Sequence, residues 1–400
     1  MPGFEIIGEE EKNEILDVLS RKVLLRYEFD EEREGIYKVG AFEKEFAKYC
    51  GVNHAHAVSS GTAALRLALA ALGISPGDEV ITQGFTFVAT WEAILDAGAI
   101  PVFAEIDETL CLDPEDLAKK ISPRTRAIIP VHMCGAQASI EEIVAVADEY
   151  QLPVIEDTAQ SCGGKLNGKA LGSFGKIGTF SFDAVKTLTT GEGGMIITDD
   201  HDLYIRASEY HDHGHDHDPT VGRGLEKRSF IGFNYRMMEL QGALGLAQLK
   251  KLDSVILPSQ KENKGRIREA LSRCDQVTYR KLPDPEGDTA TFLTFFLPTL
   301  EKTQAFKRVM EDNGAAPVYW YENTWHYYEK WEHLLEGKSL LRDGYPFKTT
   351  SGEIRCNYTS EALPRTTDLL SRTLTIPINI NMEAQIPKIL KAIDEAAKVI

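Results

Sequence analysis

Between about residues 50 and 250, short apolar runs alternate with amphipathic stretches of helical period, the pattern of βαβ units around a mainly parallel sheet. Ala55-His-Ala-Val58 reads as a strand. Thr62 to Leu72, almost entirely Ala and Leu, reads as a helix ended by Gly73. Ser75-Pro-Gly-Asp78 then makes a turn into a strand at Glu79-Val-Ile-Thr82. Further strands are predicted at Ile100–Phe103, Ala127–Val131, Pro153–Ile155, Gly178–Ser181 and Met195–Thr198.

The texture changes in the second half. A stretch rich in Gln, Ala, Leu and Lys, from Glu239 to about Leu252, predicts a helix that carries the chain out of the α/β region. Beyond Pro258 come predicted helices over Lys261–Ser272 and Lys302–Asn313, and predicted strands over Gln276–Tyr279 and Ala290–Leu297. An irregular aromatic stretch, Val318 to Trp331, precedes a last helix from about Met382. At 400 residues the chain exceeds what one compact core usually serves. The expected organisation is a large α/β domain over 1–254, with an N-terminal helix over 9–19, and a smaller α+β domain over 255–400. Internal repeats are absent from the sequence.

Composition removes several function classes. The hydrophobic share of 43% and charged share of 26% are those of an ordinary soluble globular protein. A net charge of −17 without any basic block argues against a nucleic-acid partner, so an anionic substrate would have to be met by local cations. No apolar stretch has spanning length and no signal peptide is read at the N-terminus, so no membrane partner is expected. The six cysteines are scattered, with no metal-knuckle spacing, which fits reduced thiols and a cytoplasmic location.

The chemistry centres on Lys186. It lies between the run Thr179-Phe-Ser-Phe182 and the glycine-dense Gly191-Glu-Gly-Gly194. A lysine that attacks an aldehyde needs an accessible amine with a lowered pKa, and a small-residue turn beside a strand provides both. Asp157 ends the run Leu152-Pro-Val-Ile-Glu-Asp157, 29 positions earlier, where open α/β sheets place their ligands. An acid there can keep a pyridine nitrogen protonated, so the pair points to pyridoxal 5′-phosphate. Asp157 also suits the capping of the turn at Thr158. Ser59-Ser60-Gly61-Thr62 joins a strand to a helix and reads either as a plain turn or as a phosphate cradle of backbone N–H groups, with Ser181 adding a hydroxyl. Gln160 is placed to meet the cofactor's phenolic oxygen. Phe87 is placed to stack on its ring or to fill the core.

Ser60-Gly-Thr62, Phe85-Thr-Phe-Val-Ala-Thr90, Glu156-Asp-Thr-Ala-Gln160, Phe180-Ser-Phe182 with Lys186 and Gly191–Gly194, and Gly232-Phe-Asn-Tyr-Arg236 occur in that order. Together they resemble the sugar aminotransferases of the DegT/DnrJ/EryC1/StrS family, strongly over about residues 40–255 and weakly elsewhere. The resemblance implies a fold-type I aminotransferase acting as a homodimer with shared active sites. Lys186 would be the Schiff-base lysine and general base, and Asp157 would pair with the pyridine nitrogen. Ser60, Gly61, Thr62 and Ser181 would hold phosphate. Asn234 and Arg236 would reach the neighbouring subunit's site, toward phosphate and the amino donor's carboxylate respectively. The implied reaction moves an amino group from L-glutamate, which leaves as 2-oxoglutarate, to a carbonyl sugar.

Leu24-Leu-Arg-Tyr-Glu-Phe-Asp30, the histidine-dense Glu209–His217 turn, Arg223–Arg228 and the Met1-Pro-Gly-Phe-Glu5 start look like those of the 8-amino-3,8-dideoxy-manno-octulosonate transaminases. Those enzymes aminate the C8 aldehyde of an oxidised Kdo sugar for bacterial lipopolysaccharide. Such a substrate carries a carboxylate but no nucleotide, and Arg26, Arg223 and Arg228 are its expected cationic partners, unless they are loop surface charges. The cluster His211, His213, His215 and His217 invites a metal reading. Its alternating Asp residues and Gly214 instead suggest an exposed turn, and no metal is expected. The aromatic stretch is expected to serve packing and dimer contact, with His326 its best site candidate. The rival readings are a nucleotide-linked keto-sugar aminotransferase, a PLP-dependent sugar dehydratase, which would use a histidine in place of Lys186, and a non-catalytic PLP-fold regulator.

Overall fold

A computed structural model describes residues 3–218, 220–221, 224–348 and 355–400. Its strands are β1 (His54–Val58), β2 (Glu79–Gln83), β3 (Ile100–Ala104), β4 (Thr125–Ile128), β5 (Ile155–Asp157), the small hairpin β6 (Lys165–Leu166) and β7 (Lys169–Ala170), β8 (Ile177–Ser181), β9 (Gly194–Thr198), β10 (Thr278–Tyr279), β11 (Phe292–Phe296) and β12 (Thr373–Pro377). One ladder runs β3-β2-β4 and is parallel throughout; another runs β5-β8-β9-β1. Parallel bridges from Ile128 to Val154 and from Val131 to Asp157 join them into a continuous sheet. Only β9 runs against the rest, pairing antiparallel with both β8 and β1.

Both faces of this sheet are covered, which explains why its strands read as nearly continuous apolar runs. Side chains alternate between two cores. Ile177 and Ile196 face the core of α3 (Gly61–Ala71), whereas Phe180, Met195 and Ile197 face Phe42 and Phe46 of α2 (Lys38–Cys50). The Ala/Leu sequence of α3 leaves it apolar on nearly every side, so it is buried as an inner helix. The turn at Ser75–Asp78 forms as expected, with the Ser75 N–H donating to Asp78 Oδ2 at 2.8 Å.

The second sheet, β10-β11-β12, is antiparallel and packs on the helices Leu257–Leu271, Leu300–Asp312 and Ile386–Ala396 through Leu293, Phe295, Phe306, Leu374 and Ile389. Strand β12 is absent from the sequence reading, because Thr373-Leu-Thr-Ile-Pro377 is short and ends in proline. The predicted break at Pro258 does not occur. Helix Glu239–Lys251 passes through a π-turn at Leu252–Ile256 directly into Leu257–Leu271, and this irregular turn precedes Pro258, whose ring carries no N–H for a regular helical bond. The aromatic stretch packs on β3 and its neighbours, with Tyr328 edge-on to Phe103 and Trp331 against Trp91. Among the described residues, no helix is long and apolar enough to cross a membrane.

Candidate active site

At the C-terminal ends of β5 and β8 lies a cavity of about 270 Å³. Ser60, Gly61, Thr62, Phe87, Asp157, Gln160, Ser181, Lys186 and His326 all line it, although they come from segments spread over most of the chain. Asp157, the last residue of β5, is 3% exposed. Its Oδ2 accepts from the Thr90 hydroxyl at 2.8 Å and its Oδ1 from the Ala159 N–H at 3.1 Å, so one oxygen closes the expected turn and the other does not. Burial raises this carboxyl above its ordinary range, against the two hydrogen bonds and the charge of Lys186. For Lys186, burial pushes the amine below its ordinary range, opposed by Asp157 and Asp183. Among the described residues no ion pair joins the two side chains. The cavity separates a carboxyl raised by burial from an amine lowered by it.

The opposite wall is the start of α3. Ser60 Oγ caps it by accepting from Ala63 N–H at 3.1 Å, and Ser60 O takes Ala64 N–H at 3.0 Å, which leaves the Gly61 and Thr62 N–H groups as donors at the helix N-terminus. A Cβ on Gly61 would sit 2.6 Å from Ser181 Cβ, so glycine alone lets the serine hydroxyl close on the helix start. Gln160 Oε1 accepts from the Cys134 N–H at 3.0 Å, which leaves its amide nitrogen as a donor. A buried acid, a lysine, an amide donor and an anion cradle in one cavity fit a protonated pyridine ring bearing a phosphate tail.

His326 enters from the aromatic stretch, its carbonyl accepting from Thr86 N–H at 3.0 Å. Phe87 stacks at 5.5 Å on Trp325 and lies beside His326. Thr90, Glu192, Phe292 and Trp320 also line the cavity without having been singled out. Thr90 closes the Phe85–Thr90 motif and was readable there. Phe292 and Trp320 carry no local signal, since tertiary packing alone brings β11 and the aromatic stretch to the sheet's edge.

Asn234 and Arg236 do not join this cavity. They lie on a segment stitched to the cradle's own turn, Ser59 N–H donating to Tyr235 O at 2.8 Å. Arg236 pairs with Asp212 and lines a second cavity, of about 680 Å³, with Tyr27, His213, His215, His217 and Arg228. Arg26 departs from expectation. It is buried at 7% exposure, donating to Glu43 at 2.7 Å and to Ala57 O at 2.8 Å, so its guanidinium is occupied within the fold and does not face a sugar. Arg228 is half-exposed, 3.9 Å from Glu226; Arg223 lies outside the described residues.

The histidine turn is less exposed than expected. His211 is buried and bonds the Tyr27 hydroxyl at 2.9 Å, His215 meets Glu226 at 2.5 Å, and His217 lies 3.3 Å from Asp212. Among the described residues, no group of three His, Cys, Asp or Glu side chains is arranged to hold a metal ion.

The model of the DegT/DnrJ/EryC1/StrS aminotransferase family matches residues 6–341. GDP-perosamine synthase of Caulobacter vibrioides is 46% identical over 213 residues, 53% of this chain and 56% of that protein. UDP-N-acetyl-3-dehydro-alpha-D-glucosamine 3-aminotransferase of Acidithiobacillus ferrooxidans is 34% identical over 342 residues, 84% of this chain and 88% of that one. Matches to GDP-perosamine synthases thus span little more than half of those proteins, at 56% and 58%. Among solved structures, an aminotransferase from Psychrobacter cryohalolentis superposes with a TM-score of 0.82 at 26% identity, covering 98% of each chain. NtdA of Bacillus subtilis with bound cofactor PMP gives 0.79 at 25% identity, covering 99% of this chain and 84% of that one.

Proposed function

Because the chain belongs to the DegT/DnrJ/EryC1/StrS aminotransferase family, we propose that it transfers an amino group from L-glutamate to a carbonyl sugar with pyridoxal 5′-phosphate as cofactor. The observation that carries this reading is the meeting of Lys186 and Asp157 in one cavity whose far wall is the N-terminus of α3. Pyridoxal phosphate, when bound, supplies the electron sink that makes the donor's Cα proton labile. Asp157 would hold a proton on the ring nitrogen, Gln160 would donate to the phenolic oxygen, and Phe87 would cover a ring face. Ser60, Gly61, Thr62 and Ser181 would hold the phosphate. Lys186, whose amine burial shifts below its ordinary range, takes the proton from Cα and returns one to the acceptor carbon.

Asn234 and Arg236 stand outside their own chain's cavity, which supports a homodimer in which each copy completes the other's site. Arg236 then offers a planar fork to the glutamate carboxylate. We divide the chain into a large part over 1–254 and a smaller part over 255–400, working in the cytoplasm.

For the acceptor, we favour the C8 aldehyde of 8-oxo-Kdo, giving the 8-amino sugar of lipopolysaccharide. In support, Tyr27 and Asp30 of one distinctive segment and His213, His215, His217 and Arg228 of the others line the 680 Å³ cavity beside Arg236. A nucleotide-linked keto sugar is the second reading, favoured by the substrates in the names of the relatives. The visible absorption of the holoenzyme decides between them. It should bleach with glutamate and return on adding the acceptor. Return with 8-oxo-Kdo alone supports the first reading, and return with a GDP- or UDP-keto sugar alone the second. No bleaching, or bleaching that persists in Lys186→Ala, overturns the aminotransferase assignment.

A further inference from the structure

The loop that carries Lys186 is held from outside by the start of the chain. Within the loop, Asp183 makes a tight turn, accepting from Lys186 N–H at 3.0 Å through its carbonyl and from Val185 N–H at 2.9 Å through its side chain. The Lys186 carbonyl faces away from that turn and accepts from the Gly3 N–H at 2.9 Å. Gly3 is buried, and a Cβ there would lie 2.9 Å from Lys186 O, 2.9 Å from Thr189 N and 3.0 Å from Thr187 O. All three are backbone atoms, which cannot swing aside as a side-chain tip can, so the position admits only glycine.

The short turn Gly3–Ile6 is fastened at its other end. Glu5 Oε2 accepts from Ile380 N–H at 3.0 Å and Asn381 N–H at 2.8 Å, just beyond β12. Ile6 O accepts from Lys251 Nζ at 3.0 Å, and that ammonium also binds buried Glu11 at 2.7 Å. Four residues thus tie the lysine's backbone to the C-terminal sheet and to the helix Glu239–Lys251. Both connections are polar, while Ile6 itself packs against the core that holds Leu188. Both act on a loop whose only apolar anchor in the interior is Leu188.

We propose that Gly3 and Glu5 are positioning residues for Lys186: the turn they form fixes the lysine's carbonyl and so the reach of its amine into the Asp157 cavity. The proposal rests on the reading of Lys186 as the reactive amine. A displacement of about 1 Å in a group that must meet a reacting atom is enough to cost about a hundredfold in rate without loss of binding.

The test uses the full-length holoenzyme with Gly3→Ala, the milder Glu5→Gln, and Lys12→Ala on an exposed helix face as reference. Amide hydrogen exchange over residues 187–190 should rise about tenfold in Gly3→Ala and less in Glu5→Gln, with the rest of the large sheet unchanged. The visible circular dichroism of the bound cofactor should change, and kcat should fall while the KM for glutamate stays within about twofold. Wild-type exchange, dichroism and kcat in Glu5→Gln, or changes no larger than those in Lys12→Ala, overturn the proposal even if Gly3→Ala fails to fold. Exchange at 187–190 is read without turnover, so it distinguishes failure of this device from failure of the Lys186 assignment, which Lys186→Ala tests by itself.

Discussion

His326 Nδ1 and Asn323 Oδ1 lie 2.9 Å apart, and the Trp325 N–H donates to the same amide oxygen at 2.9 Å. An amide oxygen only accepts, so Nδ1 must carry the ring's hydrogen and Nε2 must present a lone pair. Burial, with the charge of Lys186 second, pushes the His326 pKa down to about 3. The cavity therefore contains a neutral acceptor beside the lysine, suited to a hydroxyl next to the carbonyl of the substrate. Replacing His326 by Ala should raise the KM for the sugar about five- to tenfold, the worth of one neutral hydrogen bond, and leave the glutamate half-reaction nearly unchanged. Steady-state kinetics with each substrate varied checks this; an effect confined to glutamate would contradict it.

A pH dependence of stability follows from buried histidines. Burial, first among the causes in each case, holds His56 and His211 well below the ordinary histidine value, as it does His326. The folded protein leaves these rings neutral, whereas the unfolded chain takes up protons below about pH 6.5. Stability from these groups is therefore complete above that pH and is lost as pH falls through it, by at most about 1.4 kcal/mol per pH unit for each ring. Urea midpoints of the holoenzyme should fall between about pH 7.5 and about pH 5.5, and His56→Gln should flatten the slope. A midpoint that rises on acidification would contradict this account.

The Gly61–Ser181 contact makes the cradle sensitive to one methyl group. Gly61→Ala must push the serine away, since the added carbon would lie 2.6 Å from its Cβ. Loss of one charge-assisted hydrogen bond to phosphate, at about 1.5–3 kcal/mol, corresponds to a ten- to hundredfold weaker affinity for the cofactor. Titrating the apoprotein with pyridoxal phosphate measures it. Unchanged affinity would place the phosphate elsewhere.

Arg236 yields a different signature. Arg236→Lys keeps the charge but loses the planar fork, so the KM for glutamate should rise at least about tenfold while cofactor affinity is retained. Mixing inactive Arg236→Ala with inactive Lys186→Ala should restore part of the activity, because a hybrid pair contains one site with both residues intact. No recovery would argue against sites shared between copies.

What the sequence made legible was local. Asp157 and Ser181 end apolar runs, Gly61 opens an Ala/Leu helix, and Lys186 sits in a glycine-dense turn; each signal lies within a few residues of the group it marks. What stayed hidden depended on distant partners. Arg26 lies in a segment without periodicity, and its fate is decided by Glu43 and the Ala57 carbonyl. Trp320 and Phe292 reach the cavity because the chain returns to the sheet's edge long after leaving it. The role of Gly3 was likewise unreadable, since what excludes a side chain there is the backbone of residues 186–189.

The division between strand ends and loops has a consequence for how such a protein changes over time. The groups that would hold the cofactor sit on β5, β8 and the start of α3, where a shift of register would damage the core itself. Tyr27, the His213–His217 turn and Arg228 hang from loops that insertion or rewriting can alter without disturbing those strands. Under the proposed function, a lineage built on this plan would exchange one acceptor for another by editing that periphery, while the strand ends that hold the cofactor pass on unchanged.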